Sequence, residues 1–307
     1  MTTRPLPFQQ ATIVRAVERL TMGSRRFLVA DEVGLGKTIV AQGVIAALCA
    51  RPTPLRVFYV CNSLAIARQN RRRLLDLLPD AAERARALCP VDRLTLMVGR
   101  EPTHPKLRLF TLTPATSFPR RKGRPRKGRQ DERAMVRKLV AAALPDFRAP
   151  QELDALFSFG VKYWPSTLGR VPDPDEDAVT WFRDALAVEF EGAVIEGALE
   201  ELAEQPHELI GRLRSALAVH ALQMVKPDLV VFDEFQRFRD LLRPGSTAAS
   251  EEETASAAAT RRVLRALRGD DLPPARRPAL LLLSATPYLR MSTPYRQETP
   301  DTVIALA

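Results

Sequence analysis

The sequence predicts an α/β domain with a mostly parallel central sheet flanked by helices and a helix-rich insertion. Three observations lead there. Short runs of apolar residues, Phe27–Ala30, Leu229–Phe232 and Ala279–Leu283, have the length and unbroken hydrophobicity of buried strands. The block from Pro5 to about Phe118 alternates strands with helices, as strand–helix–strand units require. The first run also passes through Asp31-Glu32-Val33-Gly34-Leu35-Gly36-Lys37-Thr38 into a helical stretch, Ile39 to Ala50, so that strand, glycine-containing turn and helix follow one another directly.

That succession surrounds a phosphate with backbone N–H groups and a helix N-terminus. Gly34, Leu35 and Gly36 would form the cradle, Lys37 would reach the β/γ-phosphates, and the Thr38 hydroxyl would ligate Mg²⁺. The strict P-loop pattern opens on glycine where this chain has Asp31. A chance Gly-Lys-Thr at a helix start is the competing reading, and a second motif decides between them.

Leu229-Val230-Val231-Phe232 reads as a buried parallel strand, and it ends in Asp233-Glu234. Magnesium-dependent phosphoryl transfer needs one acid to hold the ion, directly or through water, and one to orient or deprotonate the attacking water. Adjacent residues at the carboxyl end of a strand can divide those roles, because ligands bind along that edge of open α/β sheets. Asp233 is assigned to the metal and Glu234 to the water; a merely solvated acidic pair is the alternative. A further strand, Ala279–Leu283, runs into Ser284-Ala285-Thr286-Pro287. Ser284 and Thr286 could hydrogen-bond to the acidic segment and relay the phosphate state, against the plainer reading of a strand exit terminated by proline.

Taken together, DEVGLGKT at 31–38, DEFQ at 233–236 and SATP at 284–287 resemble motifs I, II and III of superfamily-two helicases and translocases, the DEAD/DEAH-type group. The first is similar to the Swi/Snf-type form, which begins with aspartate as Asp31 does here. Pro7-Phe8-Gln9-Gln10 resembles the glutamine motif, whose amide reads the adenine edge, with Gln9 the better match and Gln10 the alternative. Phe58–Ser63 leading into Leu64–Asn70 resembles motif Ia, and Leu112–Phe118 resembles motif Ib. In the family these segments touch nucleic-acid phosphates, which would place Thr113 and Ser117 on the track. Asp-Glu-Phe-Gln also occurs in superfamily one, but there motif III is built on glycine, aspartate and glutamine, and the P-loop lacks the aspartate. Gln236 stands where histidine or aspartate is common and would serve coupling.

The resemblance implies a RecA-like P-loop lobe using ATP and Mg²⁺, with Lys37, Asp233 and Glu234 as its catalytic residues. It covers only the first half of such a motor. The second lobe's Gln-x-x-Gly-Arg-x-x-Arg segment has no counterpart, since Gly211-Arg212-Leu213-Arg214 supplies Gly-Arg without the flanking glutamine and arginine. A second RecA-like lobe or partner subunit is therefore expected. Residues 1–118 would hold motifs Q, I, Ia and Ib, 119–220 a basic loop and helical insertion, 221–290 motifs II and III of the same lobe, and 291–307 a tail.

The 307 residues carry a formal charge of +10, which suits a polyanionic partner. Arg120–Arg129 holds seven basic residues in ten, spaced by Gly123, Pro125 and Gly128. It reads as a flexible loop beside motif Ib, with Arg120, Arg121, Lys122 and Arg124 contacting phosphates without sequence preference. A second cluster, Arg68-Gln69-Asn70-Arg71-Arg72-Arg73, reads equally as a solvated helix face or a nucleic-acid contact. Helices are expected over Glu132–Leu144, Ala178–Phe190 and Glu208–Ala221, with Trp164 and Trp181 in their core and Pro172–Asp177 as an acidic cap. The stretch Arg243 to Ala259 reads as a loop between motifs II and III. Cys49, Cys61 and Cys89 read as buried thiols, and three scattered histidines form no metal or nucleophile constellation. No run reaches membrane-spanning length and no secretory leader is evident, so bacterial cytoplasm is the expected setting. The nucleic acid is expected to be DNA rather than RNA. A non-catalytic nucleic-acid-binding or interaction subunit, a helicase remnant, is the alternative function. A P-loop metabolic kinase would leave the Ia, Ib and SATP segments unexplained.

Overall fold

The computed structural model describes residues 4–61, 63–97, 100–113, 120–121, 124–125, 128–190, 194–235, 263–270 and 272–285. Five strands, β1 (Arg26–Ala30), β2 (Leu55–Val60), β3 (Leu107–Leu112), β6 (Leu229–Asp233) and β7 (Ala279–Ser284), form one all-parallel sheet in the order β1-β7-β6-β2-β3. The α/β class with a parallel central sheet is the one the sequence predicts. Every residue of β6 and β7 is buried, whereas the edge strand β1 is mostly half-exposed. Unbroken apolar sequence is what strands covered on both faces require.

The order of the strands matters more than their number. The chain lays down β1, crosses to β2 and β3, and later returns β6 and β7 into the gap between β1 and β2. Because all five run the same way, their carboxyl ends share one edge. In register, Ala30 lies beside Ser284, Leu283 beside Asp233, Phe232 beside Val60, and Val60 beside Leu112. Segments scattered through the sequence thus converge on one rim.

One face of the sheet is covered by α1 (Pro7–Met22), α2 (Lys37–Leu48) and α3 (Leu64–Leu75), which pack Ile13, Val44, Ile45 and Leu74 against Val57, Val231 and Leu281. α4 (Ala81–Ala87) follows, and Leu88 pairs in parallel with Leu109 at the β3 edge. The other face is covered by Leu94 and Met97, by a short helix over 263–268, and by the end of a long helix carrying Ala218, Leu222 and Val225. No described helix is long and apolar enough to cross a membrane.

β4 (Arg120–Arg121) pairs antiparallel with β5 (Arg124–Pro125), two short strands where the sequence suggested a loop. Proline is tolerated in an edge strand, so Pro125 leaves two-residue pairing open. After it come α5 (Gln130–Ala143), α6 (Pro150–Ser158), α7 (Trp164–Arg170), α8 (Glu176–Glu189), α9 (Ile195–Ala203) and α10 (Pro206–Val225). Three of these correspond to the expected helices; α6, α7 and α9 are shorter and carried weaker periodicity. Asp175 caps α8 by accepting from the Ala178 N–H at 2.8 Å, as the acidic turn suggested. Met135, Leu139, Phe157, Trp164, Phe182 and Leu217 form a core of their own. Trp164 lies in it and donates to Asp154 at 3.0 Å, whereas Trp181 is only half-buried on the rim, because its position on α8 lies beside the apolar stripe and not on it. α10 joins the two cores: Leu209, Ile210 and Leu213 lie in the helical one, and Leu222 and Val225 lie on the sheet.

An ionic cluster is buried where the two meet. Glu132, fully buried, accepts from Arg214 at 2.8 Å, Arg93 at 2.9 Å, the Thr95 hydroxyl at 2.7 Å and the Arg129 N–H at 2.9 Å. Burial pushes its carboxyl up, but Arg214, then Arg93 and the hydrogen bonds, outweigh burial and hold it below the usual range. Gly128 has φ +75°, and a side-chain carbon there would lie 2.6 Å from the Arg214 guanidinium, so glycine fits on both counts. Cys61 and Cys89 are buried and Cys49 half-buried, all free. Burial pushes the Cys61 thiol up to about 12 and those of Cys49 and Cys89 to about 11, which keeps them protonated.

Candidate nucleotide site

At the rim, the loop between β1 and α2 turns through two glycines with positive φ, Gly34 at +92° and Gly36 at +78°, and Gly36 is the N-cap of α2. Side chains other than glycine rarely adopt this conformation. The crest from Glu32 to Leu35 is exposed. Lys37 folds back over the loop, its Nζ donating to the main-chain oxygens of Asp31 and Glu32, each at 2.8 Å. Thr38 is half-buried in the first turn of α2.

Gln9 braces this loop from beneath. Its Nε2 donates to the Leu35 carbonyl at 2.9 Å and its Oε1 accepts from the Leu6 N–H at 2.8 Å. A side-chain carbon on Gly36 would lie 2.5 Å from Gln9 Nε2. Of the two glutamines weighed from sequence, Gln9 is the buried one touching the loop. Gln10 is exposed and lines a neighbouring cleft of about 440 Å³ with Arg4, Pro5, Ile39 and Gln42.

The acidic pair lies at the end of β6, with only β7 between it and β1. Asp233 is 8% exposed; its Oδ2 accepts from the Tyr59 hydroxyl at 2.7 Å and from Asn70 Nδ2 at 2.8 Å, and its Oδ1 accepts from the Glu234 N–H at 3.0 Å. Asn70 uses its second N–H on the Tyr59 oxygen at 3.0 Å, closing a triangle. Burial, with the Glu234 charge beside it, pushes the Asp233 carboxyl above its ordinary value, against the pull of these hydrogen bonds. Glu234 is half-exposed with φ +53°, a conformation that costs a non-glycine residue about 1–2 kcal/mol. Strain of this kind concentrates at functional sites.

Tyr59 and Asn70 were missed as site residues, and Asn70 corrects the reading of its cluster. It does not belong to the solvated face of α3: it is buried with Ala67 and Leu74 on the inner face, while Arg68, Arg72 and Arg73 are exposed. A polar residue on the apolar stripe of an amphipathic helix was the available signal. For Tyr59 the signal was a phenol within a buried strand, which needs a partner.

The other sequence candidates divide. Ser284 ends β7 between the two motifs and is fully buried. Thr113 is buried at the end of β3 beside the Cys61 thiol, so it does not face solvent. Arg120, Arg121 and Arg124 lie on the paired strands β4 and β5. Ser117, Lys122, Gln236 and Thr286 lie outside the described residues, as does the stretch 243–259.

The five-strand parallel sheet, with a glycine loop opening a helix at its carboxyl rim, is consistent with a RecA-like domain. The particular likeness is to a restriction enzyme: residues 2–101 match the family model described as Type III restriction enzyme, res subunit. That segment carries Gln9, the 31–38 loop and the β2–α3 unit with Tyr59 and Asn70. No curated protein and no solved structure matches the chain.

The oxygen ligands at hand suit a hard cation. Thr38 and Asp233 offer a hydroxyl and a carboxylate, and Mg²⁺ typically takes one or two protein oxygens and keeps several waters. Among the described residues no three His, Cys, Asp or Glu side chains cluster as a denser metal site would need.

Proposed function

We propose that the chain is the ATP-binding N-terminal motor lobe of a superfamily-two DNA helicase or translocase of Swi/Snf-like kind, working with a second RecA-like lobe. One observation carries this reading: β7 alone separates the strand that opens into Lys37–Thr38 from the strand that ends in Asp233–Glu234. Helix N-terminus, lysine and paired acids thereby face the same rim, as phosphoryl transfer requires.

In this reading Gly34, Leu35 and Gly36 present backbone N–H groups to the phosphates. Lys37 exchanges the Asp31 and Glu32 carbonyls for phosphate oxygens. Mg²⁺ held by Thr38 and Asp233 would neutralise charge developing on those oxygens. Glu234 orients the attacking water. Gln9, already bonded to the loop, reads the adenine edge, while Ser284, with Gln236 and Thr286, relays the phosphate state. Nucleic acid follows the basic strands β4 and β5 and the segment around Ser117; Thr113, buried, would act from beneath that track and not touch it.

Steady-state ATP hydrolysis with and without duplex DNA, beside Lys37→Ala, tests this. A second-lobe arginine is worth about 10³–10⁵ in rate, so the chain alone should bind Mg-ATP yet turn it over slowly, and Lys37→Ala should lose binding. Fast DNA-stimulated turnover by the chain alone would remove the need for a second lobe. No Mg-ATP binding would leave only a nucleic-acid-binding subunit.

A further inference from the structure

The Tyr59–Asn70–Asp233 triangle is a poor device for stability. A phenol, an amide and a carboxylate lie among the apolar side chains Val57, Val231 and Leu74. Each net hydrogen bond contributes about 0.5–1.5 kcal/mol, whereas taking a carboxylate out of water costs several. Three well-packed apolar side chains would stabilise the same space better. The arrangement makes sense if the acid is needed and the other two exist to hold it.

Donors and acceptors match that role. An ionised carboxylate offers about four lone-pair sites on its two oxygens. Oδ2 takes two donors, Tyr59 and Asn70, and is filled; Oδ1 takes one, the Glu234 N–H, and keeps a site. Both side-chain donors are neutral. An arginine or lysine here would orient the carboxylate equally well but would cancel the charge a cation needs.

We infer that Tyr59 and Asn70 are positioning residues for Asp233, filling Oδ2 so that Oδ1 is aimed and left free to take the divalent cation of a Mg-nucleotide. The inference rests on the Mg-ATP reading and adds to it two residues outside the nucleotide motifs. Neither side chain touches the nucleotide; each acts through the carboxylate. Tyr59 stands on β2 and Asn70 on α3, so the metal-binding acid of β6 is aimed by the neighbouring strand–helix unit.

Tyr59→Phe removes one oxygen and keeps the buried ring. Binding of a fluorescent ATP analogue is measured in EDTA and across a Mg²⁺ titration, with thermal unfolding as a fold control. Partners that orient metal ligands are worth about 10–100-fold in metal affinity. Tyr59→Phe should therefore raise the Mg²⁺ concentration for half-maximal tightening about tenfold, while affinity in EDTA stays within about twofold and the protein unfolds near the wild-type temperature. Asn70→Ala, which deletes the other donor, should give the same split and serves should Tyr59→Phe fail to fold. A folded variant with an unchanged Mg²⁺ midpoint, or with equal losses in Mg²⁺ and in EDTA, overturns the inference while the Mg-ATP reading stands. Wild-type protein that binds nucleotide no better with Mg²⁺ overturns both.

Discussion

Asp233 and Glu132 are both buried, and their surroundings are opposite in kind. Asp233 is held by a phenol, an amide and a backbone N–H, all neutral, and its carboxyl is pushed up by burial. Glu132 is held by two guanidiniums, a hydroxyl and a backbone N–H; burial pushes it up as well, but the charges pull it below the usual range. Where the counter-charge is built in, the acid joins pieces of structure: α5 with its N-cap Arg129, α10 and the segment around Arg93. Around Asp233 only neutral donors are supplied, which is what the Mg²⁺ role proposed above requires.

The largest effect is expected at Glu132. Removing one member of a buried ion cluster strands the others, at a cost of about 3–5 kcal/mol. Glu132→Ala should lose that much in urea unfolding, because Arg214 is 2% exposed and would keep its charge without its carboxylate. A loss under about 1 kcal/mol, the worth of a surface pair, would mean that the cluster is ornamental. The acid limb of the stability curve has a defined sign. Glu132 titrates lower in the folded chain than its ordinary value of 4.5, so on acidification the unfolded chain takes up the proton first. Its contribution is complete above that value and disappears as pH falls through the lower folded one. Asp233, raised above its ordinary 3.8, acts in reverse: its contribution is present below that value and is lost as pH rises through the folded one. Glu132→Ala should therefore flatten the acid limb when stability is followed against pH.

The two acids were also unequally legible in the sequence. Asp233 was visible because it directly ends an apolar strand and stands beside Glu234; adjacency along the chain carried the signal. Glu132 was visible only as part of a helix, since its partners Arg93 and Arg214 lie far away along the chain and nothing local distinguishes it from a solvated glutamate. Tyr59 and Asn70 were hidden for the same reason, their partner Asp233 being 174 and 163 residues distant. The strands were legible because burial on both faces demands continuous hydrophobicity. The insertion of β6 and β7 between β1 and β2 was not, because strand order is set by packing and crossover, not by local pattern. The pairing of β4 with β5 is not legible, because no apolar alternation marks it in the sequence.

A smaller effect separates the acids by ligand. A ligand that binds only the folded state at about 100 times its dissociation constant stabilises it by about 2.7 kcal/mol. Mg-nucleotide should therefore raise the unfolding temperature of the wild-type chain, and Asp233→Ala should lose the part that depends on Mg²⁺. Glu132 is fully buried among its own counter-charges, so a Glu132 variant that still folds should keep the full increment over its own lower baseline. An equal loss of the increment in both variants would erase the distinction drawn here.

The smallest expected effect is the most discriminating. Tyr59 packs in the core under α1–α3, while Arg93 reaches toward the helical core through Glu132; the bonds of Tyr59 with Asp233 and Asn70 and that of Arg93 with Glu132 share no partner among the described residues. Independent sites add within about 0.3–0.5 kcal/mol. Arg93→Ala should cost about 1.5–3 kcal/mol as a lost hydrogen bond to a charged group, and its sum with Tyr59→Phe should match the double variant in urea unfolding. If the double variant instead departs from the sum by more than about 1 kcal/mol, the ionic cluster and the aspartate cradle are mechanically joined. The route would be the sheet, from Leu94 and Met97, which share a core with Phe110 and Leu112 of β3, to β2. The helical block would then bear on the nucleotide rim instead of merely standing beside it.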